Sequence, residues 1–382
     1  MHVHVGLLTR SDVGYTLDLA NDLQRTGASV TVYMCHEHTI REVGLTDRPA
    51  ERLQNLGLLP PEVSVRLVRF PRRRDPRSFG VMRQLAQMLR ADGIDVAHVL
   101  ASPDDPWLAM LPGMVRGAAV VSTMIVPEPN FGTKLPWVAG FAFNWLLARG
   151  SDQIIVNGKD QVERVRQRYR LPANRVGHVP LSVRNPVMRW DEEAVDEEPG
   201  TILFFGAARP HKGLEYLVRA QPEISRQIPN ARILISAHGE ELKRCRALIR
   251  DHTKFEITDA FVPGDRASLT FQRASLVALP YLSASTSGVL MTAYSFAKPV
   301  VATRVGCLPE YVQDGDTGLL VPPADEGELA KAIIRLLSDN ALRARMQRNI
   351  SRWLDQRRAS TADRTFEVYQ KALVRRSSHH AR

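Results

Sequence analysis

Short runs of β-branched and other apolar residues alternate along the chain with longer stretches in which apolar residues recur every three or four positions. That alternation specifies βαβ units and parallel sheets, because each helix must carry the chain back to the edge where the next strand starts. In the first half it predicts strands at 2–9, 29–34, 63–70, 95–100, 120–124, 153–156 and 176–180, with helices at 15–25, 79–90, 136–148 and 160–169. Residues 35–62 read as loop-rich. The pattern stops at 185–200, where six of the eight residues 191–198 are acidic and no apolar period is present, which marks a linker. It restarts with a strand at 201–205, then a helix at 213–228, a strand at 232–236, a helix at 240–250, a strand at 276–280, a helix opening after Ser287 and a strand at 299–302. Amphipathic stretches at 325–338 and 361–373 close the chain, and the basic tail 375–382 reads as frayed. With 382 residues this makes two α/β domains and implies a cleft.

Apolar residues at 44% and charged residues at 24% leave ample core and exclude disorder, collagen and coiled coil. The net charge of +10 asks for an anionic partner: nucleic acid, a phosphorylated ligand or an anionic membrane. Nucleic acid is disfavoured because no basic and aromatic motif accompanies the charge. Residues 1–190 hold 24 Lys and Arg against 17 Asp and Glu, so most of the excess lies in the first half. Its densest cluster, Arg72, Arg73 and Arg74, reads as a solvated loop, the sharper alternative being contact with anionic lipid headgroups. Cys35, Cys245 and Cys307 are too scattered for a disulfide framework or a metal site. The N-terminus reads as a strand rather than a signal peptide and no stretch is long enough to span a bilayer, so a cytoplasmic protein is expected.

Two segments carry the chemistry. In 204–215, an apolar strand ends at Gly206, a tight turn carries Arg209 and Lys212, and a helix begins near Gly213. Two cations at the C-terminal edge of a parallel sheet suit a diphosphate, since Arg offers a planar fork and Lys a point charge. In 278–294, another strand runs through small residues into a helix whose first amides, at Ser287, Gly288 and Val289, form an anion site. Ser285 or Ser287 also reads as an ordinary N-cap. Capping does not account for Gly288 in the first turn, where glycine costs stability but lets a ligand approach the backbone.

These segments, with Leu279-Pro280, Lys298-Pro299, Val305-Gly306, Pro309-Glu310, Asp314-Gly315 and Thr317-Gly318-Leu319-Leu320-Val321, resemble the retaining glycosyltransferases of family 4 in order and spacing. The resemblance covers nearly the whole chain and is most specific at 201–323. It implies the GT-B fold, two Rossmann-like domains with parallel sheets facing across a cleft. It implies an acceptor domain at 1–184, a linker at 185–200 and a donor domain at 201–354, with a helix at about 355–375 packing back on the first domain. A nucleotide-diphosphate-sugar is then the co-substrate, with no cofactor and no metal. Carried over by position, Arg209 and Lys212 hold the diphosphate and offset leaving-group charge. Gly206, Ser287, Gly288, Val289, Thr292, His238, Val262 and Glu310 lie on the donor, although Glu310 reads equally as a helix cap. The glycine loop Asp12-Val13-Gly14-Tyr15, opening the first helix, lies across the cleft near the sugar and phosphates.

The chain departs from the family at three places. Ala284 and Thr292 stand where most members carry two glutamates, as in a branch with a Ser-Gly-Val loop. Ile125-Val126 replaces a His-Asp pair, so Glu128 or Asn130 is expected to take part of that histidine's role. Two functions remain open. One is a metal-independent hexosyltransferase acting on a glycan or lipid-linked acceptor in cell-surface polysaccharide or glycolipid synthesis, peripheral at the inner membrane face. The other is a catalytically degenerate relative that binds a sugar nucleotide or a partner enzyme without transfer. The histidines at 2, 4, 36 and 38 make no metal spacing. The aromatic-rich stretch 135–147 reads as a buried helix, or alternatively as a contact with a lipid-linked acceptor at the membrane interface.

Overall fold

The computed structural model describes residues 2–10, 12–43, 48–72, 75–101, 107–125, 127, 137–181 and 194–380, of which 41–43, 137, 265, 358–359 and 379–380 are described by backbone alone. The chain divides into two compact units, Met1–Ser182 with Arg357–Arg382, and Val183–Gln356.

The first unit runs β1 (His4–Thr9), α1 (Val13–Gln24), β2 (Ser29–Cys35), α2 (His36–Val43), α3 (Pro49–Asn55), β3 (Ser64–Val68), α4 (Ser78–Ala91), β4 (Val96–Ala101), α5 (Leu111–Met114), β5 (Ala119–Met124), α6 (Trp137–Gly150), β6 (Gln153–Val156), α7 (Lys159–Tyr169) and β7 (Val176–His178). Its seven strands are ordered β3-β2-β1-β4-β5-β6-β7, all parallel. β4 and β5 are buried along their whole length, as expected of strands covered on both faces.

The second unit runs β8 (Thr201–Ala207), α8 (Leu214–Gln227), β9 (Arg232–His238), α9 (Glu240–Arg246), β10 (Phe255–Asp259), α10 (Gly264–Arg273), β11 (Leu276–Leu279), α11 (Gly288–Ser295), β12 (Val300–Thr303), α12 (Leu308–Tyr311), β13 (Gly318–Val321) and α13 (Glu326–Ser338). Its parallel sheet is ordered β10-β9-β8-β11-β12-β13. Leu217, Val218 and Ile224 of α8 pack with Leu329, Ile333 and Leu336 of α13 over this sheet, and each such side chain contributes roughly 1.5–3 kcal/mol on burial. Asp325 caps α13 by accepting from the Glu328 amide at 2.9 Å.

α14 (Asn340–His380) is one continuous helix. Leu342 and Met346 belong to the second unit's apolar core, and Ile350, one turn further on, is buried. Further on, Val368 lies against β7, where a Cβ on Gly177 would come within 2.9 Å of it. The Tyr369 hydroxyl reaches His98 of β4 at 2.7 Å.

Four expectations are corrected. The stretch 35–62 contains α2 and α3. The stretch 361–373 belongs to α14, and the tail is not frayed: 375–380 remain helical and Arg376 donates to the Val115 carbonyl at 3.4 Å. Within the acidic stretch read as a linker, Glu197 pairs with buried Lys298 at 3.0 Å and Glu198 with Arg273 at 2.6 Å. The helix expected at 240–250 ends at Arg246.

Candidate functional site

In both sheets the strand order reverses direction beside the first strand, between β1 and β4 and between β8 and β11. Loops leaving the C-terminal ends of those strands diverge to opposite faces, and the crevice so formed is where doubly wound sheets bind ligands. In the second unit the two loops at this point are those holding Arg209–Lys212 and Ser283–Ser287.

The first loop is shaped by glycine at both ends. Gly206 has a φ of 101° and its α-carbon faces Val289 in the first turn of α11, so that a Cβ would sit 3.6 Å from that side chain. Gly213, φ 63°, lies so close to the Pro280 carbonyl that a Cβ would fall 1.9 Å from its oxygen. Between them, Pro210–Lys212 form one 3₁₀ turn, and Leu282 donates to the His211 carbonyl at 2.8 Å. The turn after β8 is therefore fastened to the loop after β11.

Lys212 sits with Nζ 3.7 Å from the centroid of the Tyr281 ring, a cation–π contact worth about 0.5–2 kcal/mol. The Tyr281 hydroxyl lies 3.2 Å from Ser287 Oγ, which accepts from the Leu290 amide at 3.2 Å and so caps α11. Capping at Leu290 leaves the Gly288 and Val289 amides without an intrahelical partner, in the positive end of the helix dipole. A chain of contacts thus connects the lysine to the helix terminus. His211 beside them is held neutral: burial, then the charges of Lys212 and Arg209, pushes it down to about 4. Arg209 is exposed.

The other expected donor residues follow the same sheet edge in strand order. Val262 is half-buried just beyond β10, and His238 ends β9 with its ring 6.3 Å from Phe261. The His238 carbonyl accepts from the Ala208 amide at 2.8 Å, fixing β9 to the turn after β8. Glu310 is half-buried in α12, beyond β12, with its amide on the Cys307 carbonyl at 3.0 Å. Thr292 is buried one turn into α11, and its hydroxyl donates to the Gly288 carbonyl at 3.0 Å. Ala284 is overlain by Gly306, whose Cβ would fall 1.6 Å from the Ala284 oxygen.

In the first unit, Gly14 and Tyr15 are not in a loop. The Thr16 amide and hydroxyl both bond the Asp12 carbonyl, closing the first turn of α1 around them, and Tyr15 is buried. Glu128, Asn130, Arg73 and Arg74 lie outside the described residues. His98 is fully buried, with Nδ1 2.7 Å from the Tyr369 hydroxyl and Nε2 2.7 Å from Thr123 Oγ1. Burial drives it down to about 3, so it is neutral.

Sequence reasoning missed Tyr281, His211 and the His98–Tyr369 pair. For Tyr281 the available signal was an aromatic residue directly after a strand-ending proline, within reach of a cation on the neighbouring loop.

The chain matches the family descriptions "Glycosyl transferase 4-like domain" over residues 14–182 and "Glycosyl transferases group 1" over 199–339. Each unit thus matches a glycosyltransferase domain over most of its length, and the two units have the Rossmann-like sheets of the GT-B fold. It is 28% identical to the alpha-D-kanosaminyltransferase of Streptomyces kanamyceticus over 49% of its length and 51% of the relative's. It is also 28% identical to the phosphatidyl-myo-inositol mannosyltransferase of Mycolicibacterium smegmatis, over 69% of its own length and 67% of the relative's. The chain spans about half the length of the first curated relatives it matches. Among solved structures, HepE of Anabaena in complex with UDP and glucose shares the fold with a TM-score of 0.68 at 15% identity, over 97% of this chain and all of that one.

Proposed function

We propose that the protein transfers a sugar, with retention at the anomeric carbon, from a nucleotide-diphosphate-sugar to a hydroxyl of a glycan or lipid-linked acceptor, in cell-surface polysaccharide or glycolipid synthesis. The observation that carries the reading is the fastening of the Arg209–Lys212 turn to the loop that caps α11, which sets two cations and two helix-terminal amides on one sheet edge. As the bond from the anomeric carbon to the phosphate oxygen breaks, negative charge grows on the diphosphate. Arg209, Lys212 and the Gly288 and Val289 amides stabilise it where it develops. The acceptor oxygen attacks from the face the phosphate leaves, and its proton passes to the departing phosphate oxygen. No metal ion takes part, so turnover survives a chelator. A lipid-linked acceptor brings the basic first unit to the inner face of an anionic membrane.

The test is a thermal-shift screen against UDP-, GDP-, ADP- and TDP-sugars, followed by measurement of nucleotide release with the sugar that binds. Lys212→Ala is expected to reduce turnover by roughly 10²–10³-fold, the usual effect of removing one donor to a developing anion. Glu310→Ala is expected to do far less; equal, mild losses in both variants overturn the role given to Lys212.

A second reading rests on Ala284 and Thr292, neither of which supplies a carboxylate and one of which spends its hydroxyl inside α11. In that reading the chain binds a sugar nucleotide or a partner enzyme without transfer. Thermal stabilisation by a sugar nucleotide with no release, even with membrane extract as acceptor, selects it.

A further inference from the structure

α6 buries Phe143, Leu147 and Ala148 against the first unit's sheet, as an amphipathic helix should. Its opposite face is also apolar. Val138 is 69% exposed, Trp145 41% and Leu146 44%, with Ala142 between them. Met110, in the short turn packed beside α6, is exposed too. Large apolar side chains gathered on one helix face in this way mark an interaction surface.

Cations surround the C-terminal end of that face. Arg149 lies over the Trp145 ring at 5.5 Å. Arg116 donates to the Gly113 and Val115 carbonyls, and Arg376 of α14 donates to Val115 as well. Arg175, bonded to the Ala148 carbonyl at 2.6 Å, lies beneath this patch rather than on it: burial, and after it the charge of Arg375, disfavours its ionised form. Residues 137–150 contain no acidic side chain. These arginines collect at the end of α6 that leads into β6, the sheet edge opposite the loops that follow β1 and β5.

We infer that the exposed face of α6, with the arginines at its end and the last turns of α14, docks on an anionic lipid bilayer. Aliphatic and indole side chains enter the boundary between headgroups and acyl chains while guanidinium groups meet lipid phosphates. The occupant follows from charge complementarity: the patch is apolar and of one sign, which fits a phosphate-bearing surface with an apolar interior better than it fits nucleic acid or a mixed-charge protein face. The inference deepens the lipid-linked branch of the function proposed above. Vesicle binding needs neither donor nor acceptor, so either reading can fail without the other.

The experiment is sedimentation of the full chain with vesicles of phosphatidylcholine alone or mixed equally with phosphatidylglycerol, at low and high salt. Binding to the mixed vesicles that weakens with salt is expected. Arg149→Gln should lower partitioning about fivefold, the effect of one basic residue near the surface. Trp145→Ser combined with Leu146→Ser should lower it about tenfold or more. Val138→Ser, at the most exposed of these positions, gives the same direction of change with no core contact to lose. All variants should keep the thermal transition and sugar-nucleotide shift of the parent. The inference is overturned by binding that does not depend on phosphatidylglycerol, by variants that bind as the parent does, or by self-association that these substitutions abolish.

Discussion

The two units have the same doubly wound topology, yet they treat polar groups in opposite ways. The second unit places its charged groups at the C-terminal edge of its sheet, where Arg209 and Lys212 flank neutral His211 and a capped helix. The first unit draws polar side chains inside: His98, Thr123 and Tyr369 form a neutral hydrogen-bonded set at the sheet, sealed from water. A fold therefore does not decide where chemistry occurs; the loops at a strand end do. The buried set instead attaches the last helix to the sheet that it covers.

Three substitutions and one titration separate these roles. The largest effect is expected for Gly213→Ala, which forces a side chain into the Pro280 carbonyl at a positive φ. It should cost about 3 kcal/mol or more, from overpacking and left-handed strain together, and abolish sugar-nucleotide shifts, as read by denaturant unfolding and thermal shift. A normal shift in a stable variant would break the claim that the two loops act as one. Tyr369→Phe leaves a buried His98 nitrogen without its partner and should cost about 1–3 kcal/mol, while the sugar-nucleotide shift persists. If that shift vanishes instead, the two polar sets are not independent. Ser287→Ala should cost about 1 kcal/mol through the lost cap, with a measurable weakening of donor binding.

The titration sharpens the contrast within the first unit. His98 has its folded-state value lowered from 6.5 to about 3. Between those values the unfolded chain takes up a proton that the folded chain refuses, so stability is full above 6.5 and falls as the pH drops. The slope is at most about 1.4 kcal/mol per pH unit from this histidine. Unfolding of a His98→Phe variant followed from neutral to acid pH should show a shallower loss than the parent.

Much of the architecture was legible because strands buried on both faces leave continuous apolar runs. β1, β2, β4, β5, β6, β8, β9, β11 and β12 lie within a residue or two of their expected positions. β10 escaped because it is an edge strand, exposed at Glu256, Thr258 and Asp259, with only Phe255 and Ile257 half-buried. α2 follows β2 without a break and is largely polar, so neither period nor cap announces it. α14 shows no single apolar stripe because Leu342 and Met346 pack in one unit and Tyr369 and Ala372 are buried further along, in the part that belongs to the other. In the site, Arg209, Lys212, Ser287 and Gly288 were legible from their place beside strand ends. Tyr281 was passed over because the cation it meets, Lys212, comes from another loop, and His98 because its Tyr369 partner is 271 positions away.

The amino-acid order alone settled the α/β class, the two-part division and the two loops that carry charge and helix-terminal amides. Periodicity, glycine placement and strand ends are local properties, and local physics is enough to write them. Tertiary structure decided the rest: which loops share a switch point, that Tyr281 connects Lys212 to the cap of α11, that Thr292 turns its hydroxyl inward, and that the final helix locks onto His98. Each of these depends on sheet order and on how closely backbones approach, and those are fixed only when distant segments pack together.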